Sequence, residues 1–219
     1  MGEYWEERYS GGRTSGAGSV GKLREWKWKI IDGVVGPLGG VVDVSCGDLS
    51  FWENRDCEKY IGIDVSETVI SQDRVRRPSW RFVCAPAEIK QNIKGETVLC
   101  MDVLFHIMDD DKYDCILSNL VSYSTHWIVV STWYENPLSM NKLRVIGALF
   151  GQGKLGPAVR FAFSDSTTDF TYQKYRVFGS HLQTFEKSGF RLVRTAKHPP
   201  SDGLFIFSNK EEDVKRGES

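Results

Sequence analysis

The sequence has few cysteines and no pattern among them. Its five cysteines are an odd number, they are widely spaced, and they contain no C-x-x-C pair. They are Cys46, Cys57, Cys84, Cys100 and Cys115. This spacing argues against a disulfide framework and against a zinc knuckle, so we expect reduced thiols and no bound metal.

Long apolar runs are also missing. No stretch approaches the ~18 to 20 uninterrupted apolar residues that a membrane-spanning helix needs. The amino terminus carries Glu3, Glu6, Glu7 and Arg8 where a signal peptide would have an apolar run. We therefore expect a soluble, cytoplasmic protein with no membrane partner.

Basic residues are not in excess. The formal net charge is −1 and the pI is about 6.4, whereas proteins that bind nucleic acids usually carry a clear basic excess. With 219 residues, 41% of them apolar, a single core is the default. We expect one domain over residues 1–209 and a charged, frayed tail over 210–219.

Short apolar segments recur along the chain and predict a sheet. Five of them, 41–44, 60–63, 80–83, 97–101 and 127–131, show little alternation with polar residues, which is typical of parallel strands covered on both faces. The stretches between them, 48–58, 66–76, 86–93 and 109–122, are long enough for crossover helices. Two further segments, 191–195 and 204–208, predict a closing hairpin and an antiparallel last strand.

Two segments depart from this pattern. Residues 1–20 are rich in Gly and Ser but include Tyr4 and Trp5, and we expect a flexible lid or arm ahead of a helix over 20–35. Residues 134–178 are interrupted by glycines and precede a helix over 179–187. Inserted segments of this kind commonly lie over a ligand cleft. We therefore expect 134–178 to shape a substrate site.

The most informative residues follow the first two apolar segments. The first segment runs into a turn of small residues, Ser45-Cys46-Gly47, and the second ends in Asp64. In α/β sheets, ligands bind beyond the carboxyl ends of the strands, where small residues let the backbone approach them. An acidic residue at the end of the second strand is where such folds hold the hydroxyls of a ribose.

Taken together, these features resemble class I S-adenosylmethionine-dependent methyltransferases. The resemblance covers about residues 4–133 and rests on DVSCGDLSFW (43–52), YIGIDVSETVI (60–70) and CMDVLFHIMDDD (100–111). It implies a three-layer α/β sandwich with a seven-stranded, mostly parallel sheet and an antiparallel last strand. It also implies S-adenosyl-L-methionine (SAM) as the cofactor.

The resemblance further implies which residues contact the cofactor. Asp43, Ser45 and Gly47 would line its methionine and sugar side, while Asp64 would take the ribose hydroxyls and Val65 would pack on adenine. Met101 and Asp102 would face the sulfonium, Ala85 would lie in the third-strand turn beside the cofactor, and Arg8 would close over it with the amino-terminal aromatics.

Two departures from the family pattern bear on the cofactor site. Ser45 and Leu49 stand where the family's first loop usually has glycine. The third-strand turn, 84–88, lacks the acidic residue that often contacts the adenine amino group, so that contact would come from backbone groups or from Glu88.

The candidate catalytic residues are Asp102 and His106. His106 follows Asp102 by four positions, so a helical turn would place them on one face, where His106 acts as a general base or, alternatively, packs on the cofactor. Tyr172, Tyr175 and His181 are candidates for an acceptor pocket or for plain packing. The acidic run 109–111 is interpreted as a helix start rather than a metal site, and Cys46 as a packing residue.

The sequence thus predicts a methyltransferase that acts on a hydroxyl or amine of a small molecule, glycan or protein. One alternative is a cofactor-binding protein on the same fold that has lost transfer, and an RNA methyltransferase ranks below it. A nucleotide-dependent oxidoreductase would need G-x-G-x-x-G after the first strand, and Ser45-Cys46-Gly47-Asp48-Leu49-Ser50 is a poor match. The acceptor and the oligomeric state are left open.

Overall fold

A seven-stranded sheet forms the centre of the molecule. The computed structural model describes residues 2–136, 173–177, 179–199 and 201–217. The strands are β1 (Gly40–Val44), β2 (Lys59–Asp64), β3 (Arg81–Cys84), β4 (Gly95–Met101), β5 (Ser124–Trp133), β6 (Arg191–His198) and β7 (Asp202–Ser208). Their order is β3-β2-β1-β4-β5-β7-β6. The strands from β1 to β5 are parallel, and β7 is antiparallel to both of its neighbours, as predicted.

Helices cover both faces of this sheet. They are α1 (Gly2–Ser10), α2 (Gly21–Val34), α3 (Glu67–Arg76), α4 (Asp110–Tyr123), α5 (Gly179–Lys187) and α6 (Glu211–Gly217). On one face, Trp28 of α2 and Ile70 of α3 join a buried cluster; on the other, Leu120 of α4 and Phe185 of α5 join a second one. The predicted three-layer α/β sandwich is confirmed.

The amino-terminal segment is more regular than the sequence indicated. The expectation that 1–20 lacks a regular element is wrong for Gly2–Ser10, which is helical. Tyr9 of this helix is buried, and the Glu6 carboxylate accepts hydrogen bonds from the hydroxyls of Ser66 and Thr68 at the start of α3. Tertiary contacts therefore stabilise a helix that its own composition does not favour.

Two of the four expected crossover helices are absent from the structure. The stretch 48–58 contains only a 3₁₀ helix, Ser50–Trp52. It follows a left-handed Leu49 at φ 57° and ends where Glu53 leaves helical geometry at ψ 129° and Asn54 is left-handed at φ 61°. The stretch 86–93 forms no helix. Its backbone groups are satisfied from α4 instead, where Asn119 donates to the Ala87 carbonyl at 2.9 Å and the Tyr123 hydroxyl accepts from the Gln91 amide at 2.8 Å.

The prediction of a frayed tail is also wrong for Glu211–Gly217, which form α6. Asp213 anchors this helix, since its carboxylate accepts from the Ser208 hydroxyl at 2.6 Å and lies 2.7 Å from His126 Nε2. Of the expected inserted segment 134–178, the structure describes only 134–136 and 173–177, so most of that prediction lies outside the described residues.

The five cysteines are all free thiols. No helix in the described part of the chain is both long and apolar enough to cross a bilayer.

Candidate functional site

A cavity of about 500 Å³ opens at the carboxyl ends of β1, β2 and β4. The chain leaves β1 for β2 and β3 on one side and returns to β4 on the other, so the cavity lies at the point where the strand order reverses. Seven of the ten predicted site residues border it: Asp43, Ser45, Asp64, Val65, Met101, Asp102 and His106. The structure thus brings together residues that lie up to 63 positions apart in the sequence.

The backbone of the loop after β1 is left-handed at the positions where the family's first loop usually has glycine. Ser45, Gly47 and Leu49 all have left-handed backbones, with φ of 60°, 58° and 57°. A left-handed backbone costs a non-glycine residue about 1 kcal/mol or more. Leu49 does not border the cavity but is 5% exposed within the core, so burial of its side chain offsets the strain.

Asp43 is held rigidly beneath this loop. Its Oδ2 accepts hydrogen bonds from Trp52 Nε1 at 2.7 Å and from the Tyr60 hydroxyl at 2.9 Å. Burial raises the pKa of Asp43 to about 6, although the two hydrogen bonds act in the opposite direction. The carboxyl therefore changes charge close to neutral pH.

Asp64 ends β2 and joins two loops. Its Oδ2 accepts from the Gly47 amide and its Oδ1 from the Ser66 amide, both at 3.0 Å. Burial raises the pKa of Asp64, against these backbone bonds. A carboxylate has about four acceptor positions, so Asp64 keeps acceptor capacity for a ligand. Gly47 itself does not border the cavity and contributes through this hydrogen bond.

Asp102 ends the β4 turn and has a left-handed backbone at φ 60°. The Ser131 hydroxyl donates to its Oδ1 at 2.6 Å, and its Oδ2 forms an ion pair with Lys27. His106 lies in the 3₁₀ helix Leu104–His106, which begins after Asp102, so the helical turn expected to start at Asp102 is not formed. Both residues nevertheless border the cavity. Lys27 was not predicted, because a lysine on an amphipathic helix ordinarily points to solvent.

Helix α1 forms one wall of the cavity through Gly2, Trp5 and Tyr9. The predicted contact of Arg8 is not seen: its Nε donates to the Thr14 carbonyl at 2.7 Å, and its side chain does not border the cavity. The Arg8 guanidinium lies 5.7 Å from the ring centroid of Trp5, which does border the cavity.

The loop after β3 forms the opposite wall. Ala85 does not border the cavity, since its side chain packs against the core and its amide donates to the Asp64 carbonyl at 2.8 Å. Pro86, Ala87 and Glu88 border it instead. Glu88 is paired with Lys112 of α4 at 2.8 Å, and Lys112 also reaches the cavity.

The remaining candidates lie away from the cavity or act as structural residues. Asp109 caps α4 by accepting from the Lys112 amide at 3.0 Å, and no metal-binding cluster is found among the described residues. His181 is buried against the Tyr113 hydroxyl, and burial lowers its pKa to about 4. Tyr175 borders a separate small depression with His181, and Tyr172 lies outside the described residues.

Comparison with known proteins rests on structure alone. No family model matches the sequence, and no curated protein matches it. Magnesium protoporphyrin IX methyltransferase from Synechocystis, solved with bound S-adenosylhomocysteine (SAH), superimposes with a TM-score of 0.65 at 17% identity, covering 95% of this chain and 97% of that one.

Two further solved structures are similar. The N-methyltransferase NodS from Bradyrhizobium japonicum in complex with SAH gives a TM-score of 0.58 at 13% identity and covers 86% of this chain and 88% of its own. The 1,6-didemethyltoxoflavin-N1-methyltransferase from Burkholderia thailandensis gives 0.60 at 10% identity, with 94% and 85% coverage. These similarities, with the strand order and the position of the cavity, show that the chain has the fold of class I S-adenosylmethionine-dependent methyltransferases.

Proposed function

We propose that this protein is a SAM-dependent methyltransferase that transfers a methyl group to a hydroxyl or amine of a small molecule, glycan or protein. The observation that carries the proposal is the cavity at the strand-order reversal, bordered by the carboxylates of Asp43, Asp64 and Asp102. Ligands of such sheets bind at this position. A cationic sulfonium and the hydroxyls of a ribose are both favoured beside carboxylates.

The residues present fit SAM in size and in chemistry. Asp64 has acceptor positions for the ribose hydroxyls, and Val65 and Pro86 offer apolar surface to a flat adenine ring. Glu88 and Lys112 lie at the same end and supply polar groups in place of the missing third-strand acid. When bound, SAM supplies an electrophilic methyl carbon, and the protein's part is to orient the acceptor and exclude water.

Acceptor chemistry is proposed from His106 and the apolar lining. His106 borders the cavity beside Asp102 and can take a proton from a hydroxyl or amine. Trp5, Phe51 and Ile107 make much of the remaining wall apolar, which suits an organic small molecule. The similar structures from Synechocystis and Burkholderia are named for such acceptors, a metalloporphyrin and a toxoflavin precursor. A small-molecule acceptor is therefore ranked first.

A cytoplasmic location is part of the proposal. It is supported by the five free thiols, which a reducing compartment preserves.

The experiment for cofactor binding is calorimetric titration of Asp64→Asn with SAM and with SAH. Both ligands carry the same ribose, so both should bind about tenfold or more weakly than to the original protein, as loss of a charge-assisted hydrogen bond requires. The matched control is Asp56→Asn. Asp56 also accepts from a backbone amide, that of Cys57 at 2.8 Å, but lies outside the cavity. Equal affinity in both variants would contradict the proposed ribose contact.

The experiment for His106 separates proton transfer from packing. His106→Ala should lower turnover of an acceptor found by screening while it changes the SAH Kd by less than about threefold, because a base acts on the acceptor and not on the cofactor. Loss of SAH binding in this variant would show that His106 packs on the cofactor instead.

A further inference from the structure

Lys27 places a buried positive charge behind the cavity. This residue of α2 is 0% exposed, and its Nζ donates to the Gly18 carbonyl at 3.0 Å and forms an ion pair with Asp102. A lysine is almost never fully buried without such a partner. Nothing in the proposed transfer step uses Lys27, so its burial needs a separate explanation.

Its partner, Asp102, is the member of the pair that borders the cavity. The Asp102 side chain keeps 18% of its surface exposed and borders the cavity, whereas Lys27 does not border it. Each carboxylate oxygen already has a partner, Ser131 on Oδ1 and Lys27 on Oδ2. The cavity wall at this point therefore carries the Asp102 carboxylate, and the buried Lys27 ammonium largely compensates its negative charge.

The turn Ala17–Ser19 packs directly on this pair. A side chain at position 18 would collide with the Asp102 carboxylate, so this packing requires the bare Cα of Gly18. Asp202 lies within electrostatic reach: burial and then Asp102 raise its pKa, while Lys27 and His198 lower it. Because Lys27 is fully buried, its charge is screened less than that of a surface lysine.

SAM and SAH differ in charge at the sulfur atom, because SAM is a sulfonium cation and SAH is a neutral thioether. A bare carboxylate on the wall would favour the cation strongly, and a compensated one favours it less. We propose that Lys27, by neutralising Asp102, sets how strongly the cavity discriminates between SAM and SAH. Lys27 is thus a specificity-determining residue that acts through Asp102, and this inference rests on the proposed function.

The test is the ratio of the SAH Kd to the SAM Kd, measured by calorimetry at constant pH and salt. In Lys27→Met the ratio should rise about fivefold or more, because the Asp102 charge is no longer compensated. In Asp102→Asn it should fall by a similar factor, because the ammonium is left uncompensated. Lys29→Met is the matched control, since Lys29 is an exposed lysine of the same helix and should leave the ratio unchanged.

The double variant Lys27→Met with Asp102→Asn removes both charges and should return the ratio to within about twofold of the original. If Lys27→Met fails to fold, the difference between Asp102→Asn and the double variant decides the question. A ratio that stays within twofold in Lys27→Met, or one that is equal in Asp102→Asn and the double variant, overturns the inference but leaves the proposed function standing. An original protein that binds neither SAM nor SAH overturns both.

Discussion

The indole of Trp5 meets the imidazole of His106 edge to face, with ring centroids 5.2 Å apart and ring planes at 86°. Trp5 lies on α1 and His106 follows β4, so this contact joins the amino-terminal helix to the floor of the cavity. Trp5 also stacks on Tyr9 at 5.9 Å. The amino-terminal helix is therefore packed over the candidate site through aromatic side chains.

If α1 covers the bound cofactor, Trp5→Ala should weaken SAH binding and speed its dissociation by about tenfold, because the variant loses the indole that forms part of the cavity wall. Trp5→Phe should retain most of the affinity. Stopped-flow fluorescence and calorimetry measure the two quantities. Tyr4→Ala is the control, since Tyr4 lies on the same helix but does not border the cavity; an equal loss in that variant would indicate a general loss of helix packing.

The raised pKa of Asp43 predicts a pH dependence that is specific to the cation. Below pH 6 the carboxyl is largely neutral, and it becomes charged as the pH rises through about 6. The SAM affinity should therefore increase by up to about tenfold from pH 5 to pH 7, and the SAH affinity should change less.

Asp43→Asn tests the origin of this pH dependence. The asparagine carbonyl can still accept from Trp52 and Tyr60, so the variant should fold, and the difference between SAM and SAH should no longer vary with pH. If the difference between SAM and SAH affinity still varies with pH in this variant, another group titrates, and Asp64, whose pKa burial also raises, is the next candidate.

Leu49 is predicted to affect stability and not cofactor binding. Leu49→Gly relieves the left-handed strain but removes a buried side chain, and the second effect is larger. The free energy of unfolding in urea should fall by about 2 kcal/mol, while the SAM Kd stays within about twofold. A variant that bound SAM tenfold more tightly would instead show that Leu49 distorts the loop against the ligand.

The buried carboxyl of Asp73 in α3 should make the protein less stable as the pH rises. Its side chain is 0% exposed, and burial raises its pKa to about 8, although Arg76 acts against this shift. A carboxyl in the unfolded chain has a pKa of about 3.9. The folded state is thus favoured by the bound proton below about pH 4, and this contribution is lost as the pH rises to about 8.

Asp73→Asn cannot titrate. Its stability relative to the original protein should therefore increase by about 2 kcal/mol between pH 6 and pH 9 in urea unfolding. Asp114→Asn, an exposed carboxyl of α4, should show no such trend. If the free energy of unfolding depends on pH in the same way for the Asp73 variant and the original protein, Asp73 is ionised throughout this range.

The strands could be predicted because buried parallel strands are continuous apolar runs, and Val41 to Val44 and Val98 to Met101 lie where the pattern placed them. Helices were predicted less well. α1 depends on contacts of Trp5 and Glu6 with residues about 60 to 100 positions away, which no local pattern reveals. The stretch 48–58 was long enough for a helix, but the non-helical backbone of Glu53 and Asn54 limits it to one 3₁₀ turn.

At the site, too, the features that follow from the local sequence pattern could be predicted, and those that depend on distant contacts could not. Residues that end strands, such as Asp64 and Met101, could be placed at the cavity from sequence because the ends of parallel strands meet at one edge of the sheet. Side-chain placement could not be predicted for Arg8 and Ala85, which do not border the cavity. Lys27 was missed because its burial depends on a partner 75 residues away.

Calorimetric titration of the protein with SAM, SAH and NADH tests, without knowledge of the acceptor, whether the cavity binds SAM. We expect micromolar binding of both sulfur ligands and no binding of NADH, because the loop after β1 lacks the G-x-G-x-x-G pattern of dinucleotide sites. Absence of binding by SAM and SAH, or binding of NADH alone, would contradict this expectation.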